Sequence, residues 1–193
     1  MALLILIPIA FTLLQLETHK YIFSPLTTLS CAFLALADAP VMAAALFVSC
    51  IGDYFLIHKG SKEWMYLLGI VGFSLGHILF IAHALTQVHL AKEGLFTGAV
   101  LAIWFTPYLI LRVIRKVPGL LQIPVVLYTI ISIASLACAV MTGDVFYILG
   151  IAMLVFSDTM IAETDFIGNP KTGWLIMPTY YLCHILVALS ALV

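Results

Sequence analysis

Two aspartates stand inside apolar stretches of this chain, and they are the residues best suited to chemistry. Asp158 lies within residues 150–166, GIAMLVFSDTMIAETDF, and Asp53 lies within residues 49–58, SCIGDYFLIH. A carboxylate inside an apolar span is costly and usually faces a bundle interior or a cavity. Two carboxyl groups close together in a medium of low dielectric constant share a proton, so one can act as a general acid and the other as a base. The sequence therefore predicts a single site that contains both aspartates.

Two histidines in apolar stretches are further candidates. His77 lies within residues 69–83, GIVGFSLGHILFIAH. We expect it either to line a cavity and assist catalysis, or to stabilise helix packing by a hydrogen bond to a neighbouring helix. His184 lies within about one helical turn of Tyr180 and Tyr181, so the three side chains can be neighbours on one helix surface. They are interpreted as a polar wall that binds substrate, with aromatic core packing as the alternative.

Two serines complete the candidate set as substrate-binding residues. Ser157 directly precedes Asp158, and Ser74 shares a helical face with His77. Residues 72–76 formally match G-x-S-x-G, but that motif functions at a strand-to-helix turn, whereas this stretch is apolar and helical. We therefore do not expect Ser74 to be a nucleophile, and interpret the two glycines as a G-x-x-x-G pair that lets another helix pack closely.

The composition indicates how these residues are positioned. The chain of 193 residues is 64% hydrophobic and 9% charged, whereas a soluble domain has about 25% charged residues. It is predicted to be one all-α domain over residues 1–193, a multi-pass membrane bundle. Its apolar runs approach the roughly 20 residues that a membrane-spanning helix needs. Eight such runs are predicted, at residues 2–16, 22–37, 40–57, 63–84, 94–111, 120–140, 144–163 and 173–193.

The lysines and arginines predict the orientation of the bundle. Odd-numbered loops carry all of them but one, and the exception is Lys92. Cytoplasmic loops are enriched in such residues, so the odd loops are predicted to be cytoplasmic and both termini to lie on the other side. The cations of the odd loops are Lys20, Lys59, Lys62, Arg112, Arg115, Lys116 and Lys171.

This orientation gives each candidate an expected depth. Asp53 and Asp158 are both predicted about one helical turn inside the cytoplasmic end of their spans. His77 lies fourteen residues along its span, roughly 20 Å of helix rise, and is expected beyond the membrane midplane. His184 is expected near the middle.

Other features limit the possible functions. The chain has no basic patch that would suggest nucleic acid binding and no lysine in mid-span for a Schiff base. Its four cysteines lie in apolar runs and are interpreted as small buried hydrophobes. We expect no metal and no cofactor. A metal hydrolase with Asp53, Asp158, His77 and His184 as ligands is a variant that the unequal depths of the histidines disfavour.

Four short motifs together resemble the YhhN-like lysoplasmalogenase family of eight-span membrane proteins. They occur in the order expected for that family, over nearly the whole chain. The motifs are Gly52-Asp53, Gly72-x-x-x-Gly76-His77, Ser157-Asp158 and Tyr180-Tyr181. Two positions depart from the pattern: Phe80 stands where a tyrosine is expected, and His184 stands where a glutamine is expected.

The resemblance implies hydrolysis of the vinyl ether bond of lysoplasmalogens, with a lysophospholipid as substrate and membrane lipids as surroundings. The products are a fatty aldehyde and a glycerophospho-alcohol. Protonation of the alkene gives an oxocarbenium ion like that formed by glycosidases, which also use a carboxylic acid and a carboxylate. Asp53 and Asp158 are the expected acid and base, with His77 orienting water or a carboxylate.

Two other classes of function use the same residues. A proton-coupled transporter would move a small molecule or lipid and form no product. A binding or regulatory membrane protein would tolerate neutral aspartates apart from effects on stability. The short loops favour a bacterial inner membrane as the location, and the oligomeric state stays open.

Overall fold

The computed structural model of the chain describes residues 2–18, 21–60 and 62–193. Lys20, which was counted among the cations of the odd loops, lies outside the described residues.

Eight α-helices follow one another along the described chain, and the predicted all-α architecture is confirmed. Short 3₁₀ turns, Ala2–Ile5 and Pro170–Thr172, precede the first and the last of them. The helices are α1 (Leu6–Thr18), α2 (Phe23–Ala35), α3 (Pro40–Ile57), α4 (Glu63–Leu85), α5 (Ala91–Tyr108), α6 (Gly119–Thr142), α7 (Val145–Ala162) and α8 (Gly173–Ser190).

Six of these helical segments are long and apolar enough to cross a membrane. The other two, α1 and α2, have 13 residues each, about 20 Å of rise, which is less than the roughly 30 Å of a bilayer core. Helices α3 to α8 therefore supply the spans that meet both criteria in the described part of the chain.

Two helices continue beyond their α-helical ends as π-helix. Helix α5 runs on through Leu109–Val113, and α7 runs on through Glu163–Ile167. Pro107 lies just before the first π segment, where its missing N–H and its ring disturb the regular hydrogen bonding. Single-turn π segments occur often at functional sites.

Close packing of α3 on α4 depends on glycine. A Cβ atom added at Gly72 would lie 2.9 Å from the Cα of Gly52, and one added at Gly76 would lie 2.5 Å from Ser49 Oγ. The G-x-x-x-G pair therefore brings the α4 backbone against α3, as the sequence indicated. This contact fixes Asp53 on α3 relative to His77 on α4.

Helix α5 packs on α6 and lies at the outside of the bundle. Gly94 is the one buried residue of α5. Large apolar side chains of α5 are more than two-thirds exposed, among them Leu95, Phe96, Ile103 and Trp104. In a membrane these side chains face lipid, and the inner side of α5 is left to border a cavity.

Candidate active site

A carboxylate, a phenol and an imidazole converge from three helices. Tyr128 on α6 donates its hydroxyl proton to Asp158 Oδ2 on α7, with 2.5 Å between the oxygens. The Nε2 atom of His77 on α4 lies 3.2 Å from the Tyr128 hydroxyl and 3.6 Å from Asp158 Oδ2. These three groups form one connected polar cluster, which we call the Asp158 cluster.

The expected difference in depth between His77 and Asp158 is wrong. Helix α7 was predicted to end at residue 163, but its π-helical continuation reaches Ile167. Asp158 is therefore nine residues from the end of the helical span rather than about one turn. Side chains on helices also lean towards the helix N-terminus, so those on the antiparallel α4 and α7 lean towards each other.

The hydrogen bonds of the Asp158 cluster indicate where its protons lie. The Tyr128 hydroxyl has one proton, and the short bond assigns it to Asp158. The tautomer of His77 that carries its proton on Nε2 completes this arrangement by donating to the Tyr128 oxygen. The other ring nitrogen, Nδ1, is buried without a hydrogen-bond partner among the described residues.

Asp53 belongs to a second polar cluster, formed by α2, α3 and α8. Thr28 Oγ1 donates to Asp53 Oδ2 at 2.8 Å, and the Tyr180 hydroxyl lies 3.5 Å from Thr28 Oγ1. Asp53 is 5% exposed and forms no ion pair within the described residues.

The ring of Phe73 borders this second cluster. The Phe73 ring packs against Gly52, beside Asp53, and contacts the Tyr180 ring edge-on with 6.1 Å between the ring centroids. Phe73 and Asp158 also line one apolar cavity, so Phe73 connects the surroundings of the two aspartates.

An apolar cavity reaches the Asp158 cluster between α4, α5, α6 and α7. It holds about 800 Å³ of space outside the protein atoms, including its open mouth. Asp158 and Tyr128 lie in its wall, and most of the remaining wall is aliphatic or aromatic. The other lining residues are Leu56, Tyr66, Ile70, Phe73, Phe105, Tyr108, Leu109, Val113, Val125, Thr129, Ser132, Ile133, Val155, Thr159, Ile161, Ala162 and Phe166.

Of the residues predicted from sequence, Asp158 alone lines this cavity. His77 contacts the cavity residues Tyr128 and Asp158 from behind. The others are held in helix packing and do not border this cavity; they are Asp53, Ser74, Ser157, Tyr180, Tyr181 and His184.

The serines and His184 bond mainly to backbone carbonyls. Ser74 Oγ donates to the Ile70 carbonyl at 2.8 Å within α4, and Ser157 Oγ donates to the Ile176 carbonyl on α8 at 3.2 Å. His184 Nδ1 lies 2.8 Å from the carbonyl oxygen of Tyr180. His184 Nε2 is buried without a partner among the described residues.

Tyr128 was not singled out from the sequence, although a signal for it exists. Tyr128, Ser132 and Ser135 follow each other at spacings of four and three residues, so they form a polar stripe on an otherwise apolar helix. Both serines are buried. A polar stripe that a membrane helix turns inward indicates a cavity or a polar partner.

Two acidic side chains bond to tyrosines of the cavity wall. Tyr108 donates its hydroxyl to Glu163 Oε1 at 2.6 Å, and Arg112 Nε lies 3.5 Å from the same oxygen. On the other side, Asp165 accepts from Tyr66 at 3.0 Å and forms an ion pair with Lys59. We call the first group the Glu163 rim and the second the Asp165 rim.

Within the described residues, no group of three or more His, Cys, Asp or Glu side chains is placed to hold a metal ion.

Comparison with known proteins gives one family. The model of the YhhN family matches residues 19–191, nearly the whole chain. No curated protein and no solved structure matches the chain.

Proposed function

The chain belongs to the YhhN family, and on that premise we propose that it is a membrane lysoplasmalogenase. It hydrolyses the vinyl ether bond of 1-alkenyl lysophospholipids to a fatty aldehyde and a glycerophospho-alcohol.

One observation carries this proposal: a carboxyl group with a phenol and an imidazole beside it stands in the wall of an apolar cavity. The cavity accommodates a hydrocarbon chain, because its lining is largely aliphatic and aromatic. A hydrocarbon chain in this cavity would contact Asp158, and Tyr128 and His77 lie next to that carboxyl group. An acid that acts on a carbon–carbon double bond needs this combination of apolar binding and a positioned proton donor.

The proposed reaction begins with proton transfer from the Asp158 cluster to the second carbon of the alkenyl chain. The electron pair of the double bond forms the new C–H bond, and the first carbon becomes an oxocarbenium ion stabilised by the Asp158 carboxylate. Water then bonds to the first carbon and loses a proton to the carboxylate. The resulting hemiacetal breaks its bond to the glycerol oxygen, which takes up a proton as the aldehyde forms.

Asp53 acts in this proposal through its charge. It does not line the cavity, and it directly follows Gly52, against which the cavity residue Phe73 packs. In this proposal its charge helps to stabilise the oxocarbenium ion through the apolar interior, where charges are weakly screened. Asp158 is therefore the aspartate that contacts the substrate.

The test is aldehyde release from a 1-alkenyl lysophospholipid by the purified protein and by Asp158→Asn. We expect the variant to lose about a hundredfold or more in kcat, the usual contribution of a general acid. Asp38→Asn is the matched control, because Asp38 is exposed at the opposite end of α3 from Asp53; it should match the wild type. Asp53→Asn should lower kcat less than Asp158→Asn does, because Asp53 does not line the cavity.

Full turnover by a folded Asp158→Asn variant would contradict the mechanism. A wild-type protein that releases no aldehyde in a detergent where it is monodisperse would contradict the hydrolase. Uptake driven by a pH gradient in vesicles would then support the transporter that uses the same aspartates.

A further inference from the structure

The Glu163 rim combines a buried carboxylate with an arginine that donates no hydrogen bond in the described structure. Glu163 is 7% exposed, and its Oε1 atom accepts from Tyr108. The Arg112 side chain is 58% exposed, and its closest approach to Glu163 is 3.5 Å. Glu163 therefore positions the Nε side of the Arg112 guanidinium. The exposed N–H groups of Arg112 can donate to another acceptor.

Arg112 stands beside the cavity wall. Tyr108, Leu109 and Val113 all line the cavity. Arg112 lies in the π-helical segment Leu109–Val113, directly before Val113. The hydroxyl of Tyr108 and the Nε of Arg112 approach the same carboxylate oxygen. The apolar cavity and the guanidinium are therefore adjacent, which is the arrangement that a ligand with a hydrocarbon chain and an anionic group requires.

The second rim is different, because its cation is held more closely by its carboxylate than Arg112 is by Glu163. Lys59 forms an ion pair with Asp165, and Asp165 also accepts from Tyr66. An ammonium group in such an ion pair has fewer N–H donors available to bind an anion than the exposed guanidinium of Arg112 has.

The spacing of Asp158 and Glu163 along the helix axis is similar to the length of the corresponding part of a lysophospholipid. The two acidic residues are five residues apart on α7, about 7.5 Å of helix rise. Six bonds join the vinyl ether carbon to the phosphorus of a 1-alkenyl lysophospholipid, about 7 Å at roughly 1.2 Å of advance for each bond of an extended chain. Because Arg112 lies beside Glu163, a phosphate at Arg112 would leave the vinyl ether carbon near the level of Asp158 along the helix axis.

We propose that Arg112, positioned by Glu163, binds the phosphate of a single-chain phospholipid whose hydrocarbon chain occupies the cavity. This inference rests on the proposed function for the position of the reacting carbon. It goes beyond that function by assigning the residue that selects a phosphate-bearing substrate over a neutral ether lipid. Glu163 is a positioning residue in this assignment, because it contacts Arg112 rather than the lipid.

The experiment compares two substrates of equal chain length, a 1-alkenyl lysophospholipid and the corresponding 1-alkenylglycerol, which lacks the phosphate. Wild type, Arg112→Gln and Arg115→Gln are assayed for aldehyde release. We expect Arg112→Gln to raise KM for the phospholipid about tenfold, the effect of losing one hydrogen bond to a charged group. Its KM for the alkenylglycerol should change less than threefold.

Arg115→Gln is the matched control. Arg115 is exposed, lies three residues from Arg112 and forms no ion pair in the described structure. The Arg115→Gln variant loses the same charge near the same position but keeps Arg112, so its KM values should match those of the wild type. Equal effects of the two variants would overturn the proposal in favour of a general surface charge. If Arg112→Gln raised KM equally for both substrates, the proposal would be overturned in favour of a structural role. The Arg112→Lys variant keeps the charge and should recover part of the affinity for the phospholipid.

A binding measurement separates this proposal from the hydrolase itself. A saturated 1-alkyl lysophospholipid has the same chain and phosphate but no vinyl ether, so its binding needs no turnover. Wild type should bind it about tenfold more tightly than Arg112→Gln does, even if no aldehyde is released from any substrate. Equal affinities for the two proteins would overturn the phosphate site, whereas absence of aldehyde would overturn the hydrolase alone.

Discussion

The phenolic hydroxyl of Tyr128 connects the groups at the base of the cavity. It donates to Asp158 and lies within hydrogen-bond distance of His77 Nε2. A hydrogen bond to a carboxylate stabilises its negative charge and restricts its orientation. The hydroxyl is therefore expected to affect the reaction more strongly than it affects folding.

Tyr128→Phe tests this expectation with the loss of one oxygen atom. Removal of a hydrogen bond to a charged group should lower kcat about tenfold or more, while the free energy of unfolding falls by about 1–3 kcal/mol at most. Aldehyde release and thermal unfolding of the purified variant are the measurements. Tyr54→Phe is the control, since Tyr54 is 53% exposed on α3. Activity that drops equally in both variants would remove Tyr128 from the site.

The sequence allowed some of these residues to be predicted and not others. Asp158 and His77 could be found because charged or polar side chains are rare in apolar spans. Tyr128 could not be found in the same way, since an aromatic residue is common in such a span and its hydroxyl changes the hydropathy little. Its pairing with Asp158 depends on the packing of α6 against α7, which no local pattern specifies.

At the scale of the helices, the contact between α3 and α4 sets the distance between the two polar clusters. Gly72 approaches the Cα of Gly52 so closely that an added methyl group would meet backbone rather than a movable side chain. The two helices would have to separate, and Asp53 and His77 would move apart with them.

Gly72→Ala is therefore predicted to destabilise the protein by about 1–3 kcal/mol, the usual effect of overpacking, and to lower aldehyde release. Gly60→Ala is the matched control, because a Cβ at Gly60 would meet no atom within 4 Å. Thermal unfolding in detergent and activity are measured for both variants. An unchanged melting temperature for Gly72→Ala would show that the helices do not depend on this approach.

The helix boundaries show where sequence prediction stops. The eight apolar runs predict the eight helices within a few residues, because length and hydropathy determine them. The π-helical continuations of α5 and α7 were not predicted. Residues 163–167 include Glu163 and Asp165, which resemble a loop by composition, yet their side chains are held by Tyr108, Tyr66 and Lys59.

For the whole molecule, the distribution of lysine and arginine predicts which face of the bundle meets the cytoplasm. The loop before α8 carries Lys171, whereas the loop between α4 and α5 carries Gln87 and no lysine or arginine before Lys92. The cavity rims with Lys59 and Arg112 belong to the predicted cytoplasmic face.

Cysteine labelling tests this orientation. Gln87→Cys and Lys171→Cys are each introduced into a chain whose four native cysteines are replaced by alanine. Both positions are exposed, so a membrane-impermeant maleimide should label Cys at 87 in intact cells and Cys at 171 only after permeabilisation. The opposite pattern would invert the bundle and place the rims on the outer face.

The position of α5 at the outside of the bundle affects the cavity, because α5 packs chiefly against α6. Its exposed side chains are in contact with lipid, and its inner side forms one wall of the cavity. The lateral pressure of the surrounding acyl chains therefore acts on that wall, in opposition to any molecule that occupies the space behind it. The bilayer is thus a structural component of the binding site, and its fluidity affects how far α5 can move outward when the cavity is occupied.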